Sequence, residues 1–211
     1  MKLNYLILLV ALFTFFQCET SKGTLPYFNS AELTPEWIEA NESRFNSIHT
    51  ISPFEFTNQN NELINNEIFD EHIYVANFFF TTCPSICPAM TDNMLNLQDN
   101  FKDDPQVMLL SHTVTPWMDT VKQLKKYAVE KGVMDEKWHL VTGPEEEIYK
   151  LARQSYFVEG RIGLLIADDE FLHTENFILV DGYRRIRGLY NGTKASDIQR
   201  LIEDIHILKQ E

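Results

Sequence analysis

Two of the three cysteines of the chain stand four residues apart in the stretch TTCPSICPAM, residues 81–90. Cys83 and Cys87 are each followed by a proline. A cysteine pair at this spacing could form a structural disulfide, act as a redox-active dithiol, or supply part of a metal site. Thiolate is the form that attacks disulfides and that binds soft metals such as Cu(I). The surrounding elements and the other candidate ligands narrow these alternatives.

The cysteine pair follows a strand of the predicted core. IYVANFFF, residues 73–80, is a continuous apolar run, as expected for a central strand covered on both faces. Residues 89–101 then carry apolar side chains at helical spacing. We therefore expect Cys83 and Cys87 at the carboxyl edge of a sheet and at the amino end of a helix, which lowers thiol pKa values. Their spacing predicts both sulfurs on one helical face, with Pro84 in the first turn. One helical turn also suits a disulfide, whose Cα atoms are about 4.4 to 6.8 Å apart.

The rest of the chain alternates strand-like and helix-like segments. A hairpin is predicted within residues 49–69, where Phe54 and Phe56 alternate with polar residues. The later predicted elements are a strand at 107–114, a helix ending at Gly132, a strand at 137–143, a helix at 144–157, a hairpin at 177–192 and a last helix with an apolar stripe from Ile198 to Leu208. This alternation indicates an α/β layer fold.

Length and composition fit one globular domain with an extension. The chain has 211 residues, of which 44% are hydrophobic, and its three cysteines are too few for a disulfide-stapled small fold. The net charge is -13, and no stretch concentrates lysine and arginine. These features argue against a nucleic-acid partner.

The amino terminus resembles a bacterial lipoprotein leader. Lys2 precedes an apolar run over residues 6–16, and Cys18 follows the run closely. The run has the length of a signal-peptide core and is shorter than a transmembrane helix of about 20 residues. We predict that residues 1–18 are a signal peptide with a lipoprotein anchor and that Cys18 is lipidated. An uncleaved anchor or an ordinary secretory signal are the alternatives, and each of them exports the protein to a compartment where thiols can oxidise.

Two further segments complete the predicted organisation. Residues 19–50 are polar and mixed, and we interpret them as a tether with a short extension that packs onto the domain. Residues 51–211 form the predicted domain.

The motifs of this domain resemble those of the Sco/SenC family, copper-binding thioredoxin-like proteins that serve cytochrome c oxidase assembly. The family carries a T-x-C-P-x-x-C-P signature followed by a helix. The matching features are Thr81, Cys83, Pro84, Cys87 and Pro88, then LKKYA at 124–128, LVTG at 140–143 and HTENFILVDG at 173–182. The ordered set is specific, and it covers residues 50 to 210.

The resemblance implies a fold, a site and a function. The fold would be thioredoxin-like, with a central mixed β-sheet, flanking helices and an N-terminal hairpin extension. Copper would be held by Cys83, Cys87 and His173, and the two cysteines could also form a disulfide. Cu(I) suits two thiolates and an imidazole, whereas Cu(II) would add a water or oxygen ligand. The partner would be the copper-centre subunit of a terminal oxidase. The protein itself would be a lipoprotein that is anchored in a bacterial membrane and faces the periplasm.

The chain has six histidines that could supply the third copper ligand. His112, late in a strand, and His173, in a loop before the strand FILVD, could reach the edge that carries the cysteines. The family motif selects His173. Four others lie away from the predicted site: His49, His72, His139 and His206. The segment around His112 matches a family stretch that usually reads Asp-Pro, and Thr115 takes the acidic place here.

Two functions therefore stand side by side. The first is a membrane-tethered copper chaperone, that is, a metallochaperone and not primarily an enzyme. Such a protein could also reduce the cysteines of the protein that receives the copper. The second is a thiol-disulfide oxidoreductase or redox sensor that uses the C-x-x-x-C pair. Ordinary thioredoxins carry a proline before the strand that faces their cysteines, and residues 163–181 contain none, which favours metal binding. A zinc site is disfavoured because the domain lacks a further cysteine ligand.

Overall fold

The computed structural model describes residues 23–165 and 171–211. The predicted leader, with the lipidation at Cys18, lies outside the described residues. Within the described ranges, no helix is long and apolar enough to cross a membrane.

Residues 23–48 form an extension that is tied to the carboxyl terminus. Its elements are β1 (Tyr27–Phe28), antiparallel to β2 (Pro35–Glu36), and a 3-10 helix at Ser43–Ser47. The buried Arg187 guanidinium donates to the carbonyl oxygen of Leu25 at 2.7 Å and to the carboxylate of Glu211 at 2.6 Å. The extension therefore packs onto the rest of the fold.

The main sheet has seven strands and mixes parallel and antiparallel pairs. The strands are β3 (Glu55–Asn58), β4 (Leu63–Asn65), β5 (Ile73–Phe79), β6 (Val107–Thr113), β7 (Trp138–Thr142), β8 (Asn176–Val180) and β9 (Ile186–Asn191). Their order is β4-β3-β7-β6-β5-β8-β9. β5, β6 and β7 are parallel, and the other neighbours pair antiparallel. The predicted mixed sheet and both predicted hairpins, β3–β4 and β8–β9, are confirmed.

Helices connect and cover these strands. They are α1 (Cys87–Phe101), α2 (Val121–Lys131), α3 (Glu145–Lys150) continued by a π-helix at Leu151–Ser155, α4 (Gly160–Gly163) and α5 (Ala195–Leu208), with a further 3-10 helix at Asn66–Phe69. The Thr120 hydroxyl caps α2 by accepting from the Gln123 N–H. Gly132, with φ of 79°, ends the helix in the left-handed conformation that glycine adopts without strain, as the sequence predicts.

The two faces of the sheet bury separate apolar clusters. Val75 and Phe79 pack with residues of α1, α2 and α5, on what we call the α1 face. Tyr74 and Phe78 pack with residues of α3 and of the β3–β4 hairpin, on what we call the α3 face. Since alternate residues of a strand point to opposite faces, β5 has to be apolar at nearly every position.

Three connecting segments meet at one edge of the sheet. β5 and β6 are parallel and both end at this edge, and β8 begins there because it is antiparallel to β5. The segments 80–86, 114–120 and 171–175 therefore come together. They carry Cys83 and His173, which are far apart in the sequence.

Candidate dithiol and metal site

The cysteines occupy a turn and a helix start. Cys83 lies in the turn after β5, where its N–H donates to the carbonyl oxygen of Phe80 at 3.3 Å, and Cys87 is the first residue of α1. The prediction of both sulfurs on one helical face is wrong, because the chain uses the residues before Cys87 to turn from strand to helix. Pro88, not Pro84, takes the first-turn position, where the missing N–H costs nothing.

The two thiols are free, buried and unequal. Only 9% of Cys83 and 5% of Cys87 is exposed. Burial raises the pKa of Cys83, but hydrogen bonds from the Cys87 thiol and from the backbone N–H groups of Cys87, Ser85 and Ile86 outweigh it and hold this pKa below its usual value. Burial, followed by the hydrogen bond to Cys83, raises the pKa of Cys87 to about 12. Cys83 is therefore the thiol that ionises first, and the predicted disulfide stays a prediction.

A buried carboxylate ties the cysteine turn to two other elements. One oxygen of Asp119 accepts from the Thr81 hydroxyl at 2.5 Å, and the other accepts from the Thr81 N–H at 3.2 Å. The second oxygen also accepts from the hydroxyls of Thr113 at 2.5 Å and Thr115 at 3.1 Å. The Gln123 amide donates to the Thr81 hydroxyl at 3.0 Å. We call these five residues the Asp119 cluster, and it joins the turn before Cys83 to the end of β6 and to α2.

Sequence reasoning missed the Asp119 cluster. Its members come from separate stretches, and only the string T-x-T-P-x-x-D between a strand and a helix hinted at it. Thr115 donates its hydroxyl to the Asp119 carboxylate. The pKa of Cys87 is raised first by burial, then by the hydrogen bond to Cys83 and the Cys83 charge, and last by the Asp119 charge.

His173 and Cys87 both line one cleft beside the cysteine turn. The cleft is small and is lined by Phe78, Phe79, Phe80, Ile86, Cys87, Val114, Leu172, His173 and Thr174. The His173 side chain is exposed, and its backbone N–H donates to the Glu159 carboxylate at 3.5 Å. Within residues 23–165 and 171–211, no three His, Cys, Asp or Glu side chains form a group that could hold a metal ion. The structure thus brings Cys83 and Cys87 together and places His173 in the cleft that Cys87 lines.

His112 does not reach the site. Because β6 alternates, Thr113 points to the α1 face and contacts Asp119, so His112 points to the α3 face. There the fully buried imidazole stacks on Phe78, with ring centroids 4.9 Å apart, and also lies against Tyr156 at 5.6 Å. Neither ring nitrogen has a hydrogen-bond partner in the part of the chain that the structure describes. The prediction that His112 could rival His173 as a ligand is wrong.

The other four histidines lie away from the dithiol, as predicted. His49 contacts the Ser155 carbonyl oxygen, His72 that of Asp70, His139 the Asn58 amide, and His206 packs on Phe101.

A mixed sheet with flanking helices, and a dithiol between its central strand and a helix, defines a thioredoxin-like protein. The family model for SCO1/SenC matches residues 42–210. The chain belongs to the SCO1/SenC family.

The chain is similar to several known proteins in sequence or in structure. A SCO1 protein homolog of Bacillus subtilis (strain 168) is 30% identical over 159 residues, which are 74% of this chain and 81% of the relative. The crystal structure of a SCO1/SenC family lipoprotein from Bacillus anthracis str. Ames has a TM-score of 0.66 at 26% identity, covering 76% of this chain and 95% of that one.

Two further solved structures are of Sco proteins, one with a disulfide switch and one with bound copper. BsSco, described as a Sco family cytochrome c oxidase assembly protein with a disulfide switch, has a TM-score of 0.63 at 28% identity, covering 76% of this chain and 93% of its own. Arabidopsis thaliana ScoI, crystallised with copper bound, has a TM-score of 0.58 at 22% identity, covering 76% and 98%, and this likeness concerns the fold alone.

Proposed function

We propose that this protein is an exported, membrane-tethered copper chaperone that serves the copper centre of a terminal cytochrome oxidase. The observation that carries the proposal is the pair of free, hydrogen-bonded thiols, Cys83 in the turn before α1 and Cys87 at its first residue, with His173 lining the same cleft as Cys87. Family membership and a copper-bound structure of the same fold support it. Two thiolates and one imidazole are donors that suit Cu(I).

Copper is the cargo of this site. Cys83 and Cys87 would supply thiolates, and the His173 imidazole would turn from its exposed position into the cleft to complete the set. Loading takes up one Cu(I) and releases two thiol protons. Delivery would proceed by ligand exchange, in which thiolates of the receiving copper-centre subunit replace those of Cys83 and Cys87 in turn.

A second function is favoured by the inequality of the thiols. The lowered pKa of Cys83 and the raised pKa of Cys87 suit a thiol-disulfide reductase. The Cys83 thiolate would attack a disulfide of the partner, forming a mixed disulfide and expelling one partner thiolate. Cys87 would lose its proton and attack the Cys83 sulfur, which closes the Cys83–Cys87 disulfide and releases the second thiolate. Two electrons thereby pass to the partner.

One experiment with an oxidase copper-centre domain separates the two functions. In the first arm, the copper-loaded protein is mixed with the reduced receiver; in the second, the reduced copper-free protein is mixed with the disulfide form of the receiver. A chaperone transfers copper in the first arm, and His173→Ala impairs that arm alone. Disulfide reduction that His173→Ala leaves unchanged, together with no copper transfer by wild type, would contradict the chaperone and favour the reductase.

Membrane tethering rests on the leader. The apolar run before Cys18 supports an acylated cysteine facing the periplasm, and a similar structure is that of a lipoprotein. We expect mass spectrometry of the membrane-extracted protein to find a mature chain that begins at Cys18 and carries acyl mass. An intact Met1 or a cleavage at another residue would contradict lipidation.

A further inference from the structure

The Asp119 carboxylate is an anion buried without a cation. It is 0% exposed, and none of the ion pairs within the described ranges involves it. Its partners are the three threonine hydroxyls and one backbone N–H of the Asp119 cluster. Burying a charge with only dipoles around it is costly in free energy, so a functional reason is expected.

The position of Asp119 relates it to the dithiol in two ways. It receives two hydrogen bonds from Thr81, two residues before Cys83, and so fixes the start of the cysteine turn. Its carboxylate also lies on the α1 face, where Cys83 and Cys87 are buried with Phe79. Asp119 is therefore a buried carboxylate hydrogen-bonded to the turn that carries Cys83.

We propose that Asp119 is a positioning residue that holds the cysteine turn and, through its negative charge, limits how tightly the dithiol retains Cu(I). The inference rests on the proposed function. Loading exchanges two thiol protons for one Cu(I), so the site gains one negative charge overall. A fixed anion in a buried environment opposes that gain. The hold on the cargo is thereby weakened, which favours its release to a receiver.

The test compares the removal of the charge with the removal of a hydroxyl. Asp119→Asn keeps the shape of the side chain and loses its charge, whereas Thr115→Val keeps the charge and loses one donor. Reduced protein is loaded anaerobically with Cu(I) and titrated with a competing chelator at pH 7.5. We expect Asp119→Asn to bind Cu(I) roughly tenfold more tightly than wild type, equivalent to about 1.4 kcal/mol. Thr115→Val should bind no more tightly than wild type.

A purely structural role predicts the opposite sign. A disordered cysteine turn would weaken copper binding in both variants, so a weaker or unchanged affinity of Asp119→Asn overturns the proposal. Asp119→Ser is a second neutral variant in case Asp119→Asn does not fold. If neither neutral variant folds, Asp119 serves stability alone and the proposal is wrong.

A copper-independent readout separates this inference from the proposed function. The midpoint potential of the Cys83–Cys87 couple is measured against a thiol buffer at fixed pH. Loss of the Asp119 charge favours the thiolates of the reduced form, so Asp119→Asn should have a less negative potential than wild type. If wild type binds no Cu(I), the chaperone function fails while this shift still tests Asp119. An unchanged or more negative potential would contradict the charge effect.

Discussion

Two neighbouring residues of β6 meet opposite environments on the two faces of the sheet. On the α1 face, Thr113 donates to a buried carboxylate that is satisfied by hydroxyl groups. On the α3 face, His112 is buried among aromatic rings with neither ring nitrogen hydrogen-bonded within the described ranges. Buried polar groups normally have partners. On the α1 face, the buried polar groups hydrogen-bond to one another and to the turn that carries Cys83. On the α3 face, the buried imidazole makes only ring contacts with its aromatic neighbours within the described ranges.

The largest expected effect on the α1 face is the loss of copper binding on oxidation. The reduced protein should retain one Cu(I) per chain and the disulfide form none, because the disulfide removes both thiolate ligands at once. Copper per chain is measured after unbound metal is removed. Equal copper uptake by both redox forms would rule out the site as described.

The next largest expected effect is a loss of stability when a hydroxyl group beside Asp119 is removed. Thr113→Val removes one donor from a buried anion and should lower the free energy of unfolding by about 2 to 3 kcal/mol. Chemical denaturation of the reduced protein measures the change. Thr142→Val, at a half-buried strand position, is the control and should change stability by no more than about 0.5 kcal/mol. Equal effects of the two substitutions would contradict the role assigned to Thr113.

A smaller effect concerns the α3 face and depends on pH. Burial lowers the pKa of His112 from 6.5 to about 3, so the folded state keeps the ring neutral while the unfolded chain protonates below pH 6.5. Stability is therefore lost as the pH falls through 6.5. Between pH 7.5 and 5, wild type should lose roughly 2 kcal/mol more than His112→Leu, which is similar in size and cannot titrate.

The His112 comparison uses each protein at two pH values, so packing changes in the variant cancel. Contributions to stability that wild type and His112→Leu share cancel in the difference between them. The same loss of unfolding free energy in wild type and His112→Leu would show that the His112 ring is protonated or hydrogen-bonded in the folded state.

Much of the fold follows from the sequence because burial leaves periodic patterns. The central strand, the glycine that ends α2 and the apolar stripe of α5 are read from residues next to each other in the chain. The run VMLLSHTV predicts a strand, but because it is apolar on both faces it does not tell which face His112 joins. The contact of Thr113 with Asp119 and the stacking of His112 on Phe78 show that orientation.

The residues of the site that belong to a sequence motif were predictable. The contacts between residues far apart in the sequence were not. The cysteine pair and His173 follow from the family motif, and the structure places both near one cleft. The local spacing of Cys83 and Cys87 could not show that only Cys87 is helical. The Asp119 cluster joins residues 81, 113 and 119 across two strand ends, and no local pattern encodes that meeting.

The most direct test of the central claim is a Cu(I) competition titration of the reduced wild type, His173→Ala and His112→Leu under anaerobic conditions. Cys83, Cys87 and His173 as ligands predict that His173→Ala releases copper at a chelator concentration at least roughly tenfold lower than wild type, a loss of about 1.4 kcal/mol or more. His112→Leu should match wild type, because His112 lies on the other face of the sheet. Wild-type affinity in His173→Ala, or an equal loss in His112→Leu, would contradict the proposed copper site.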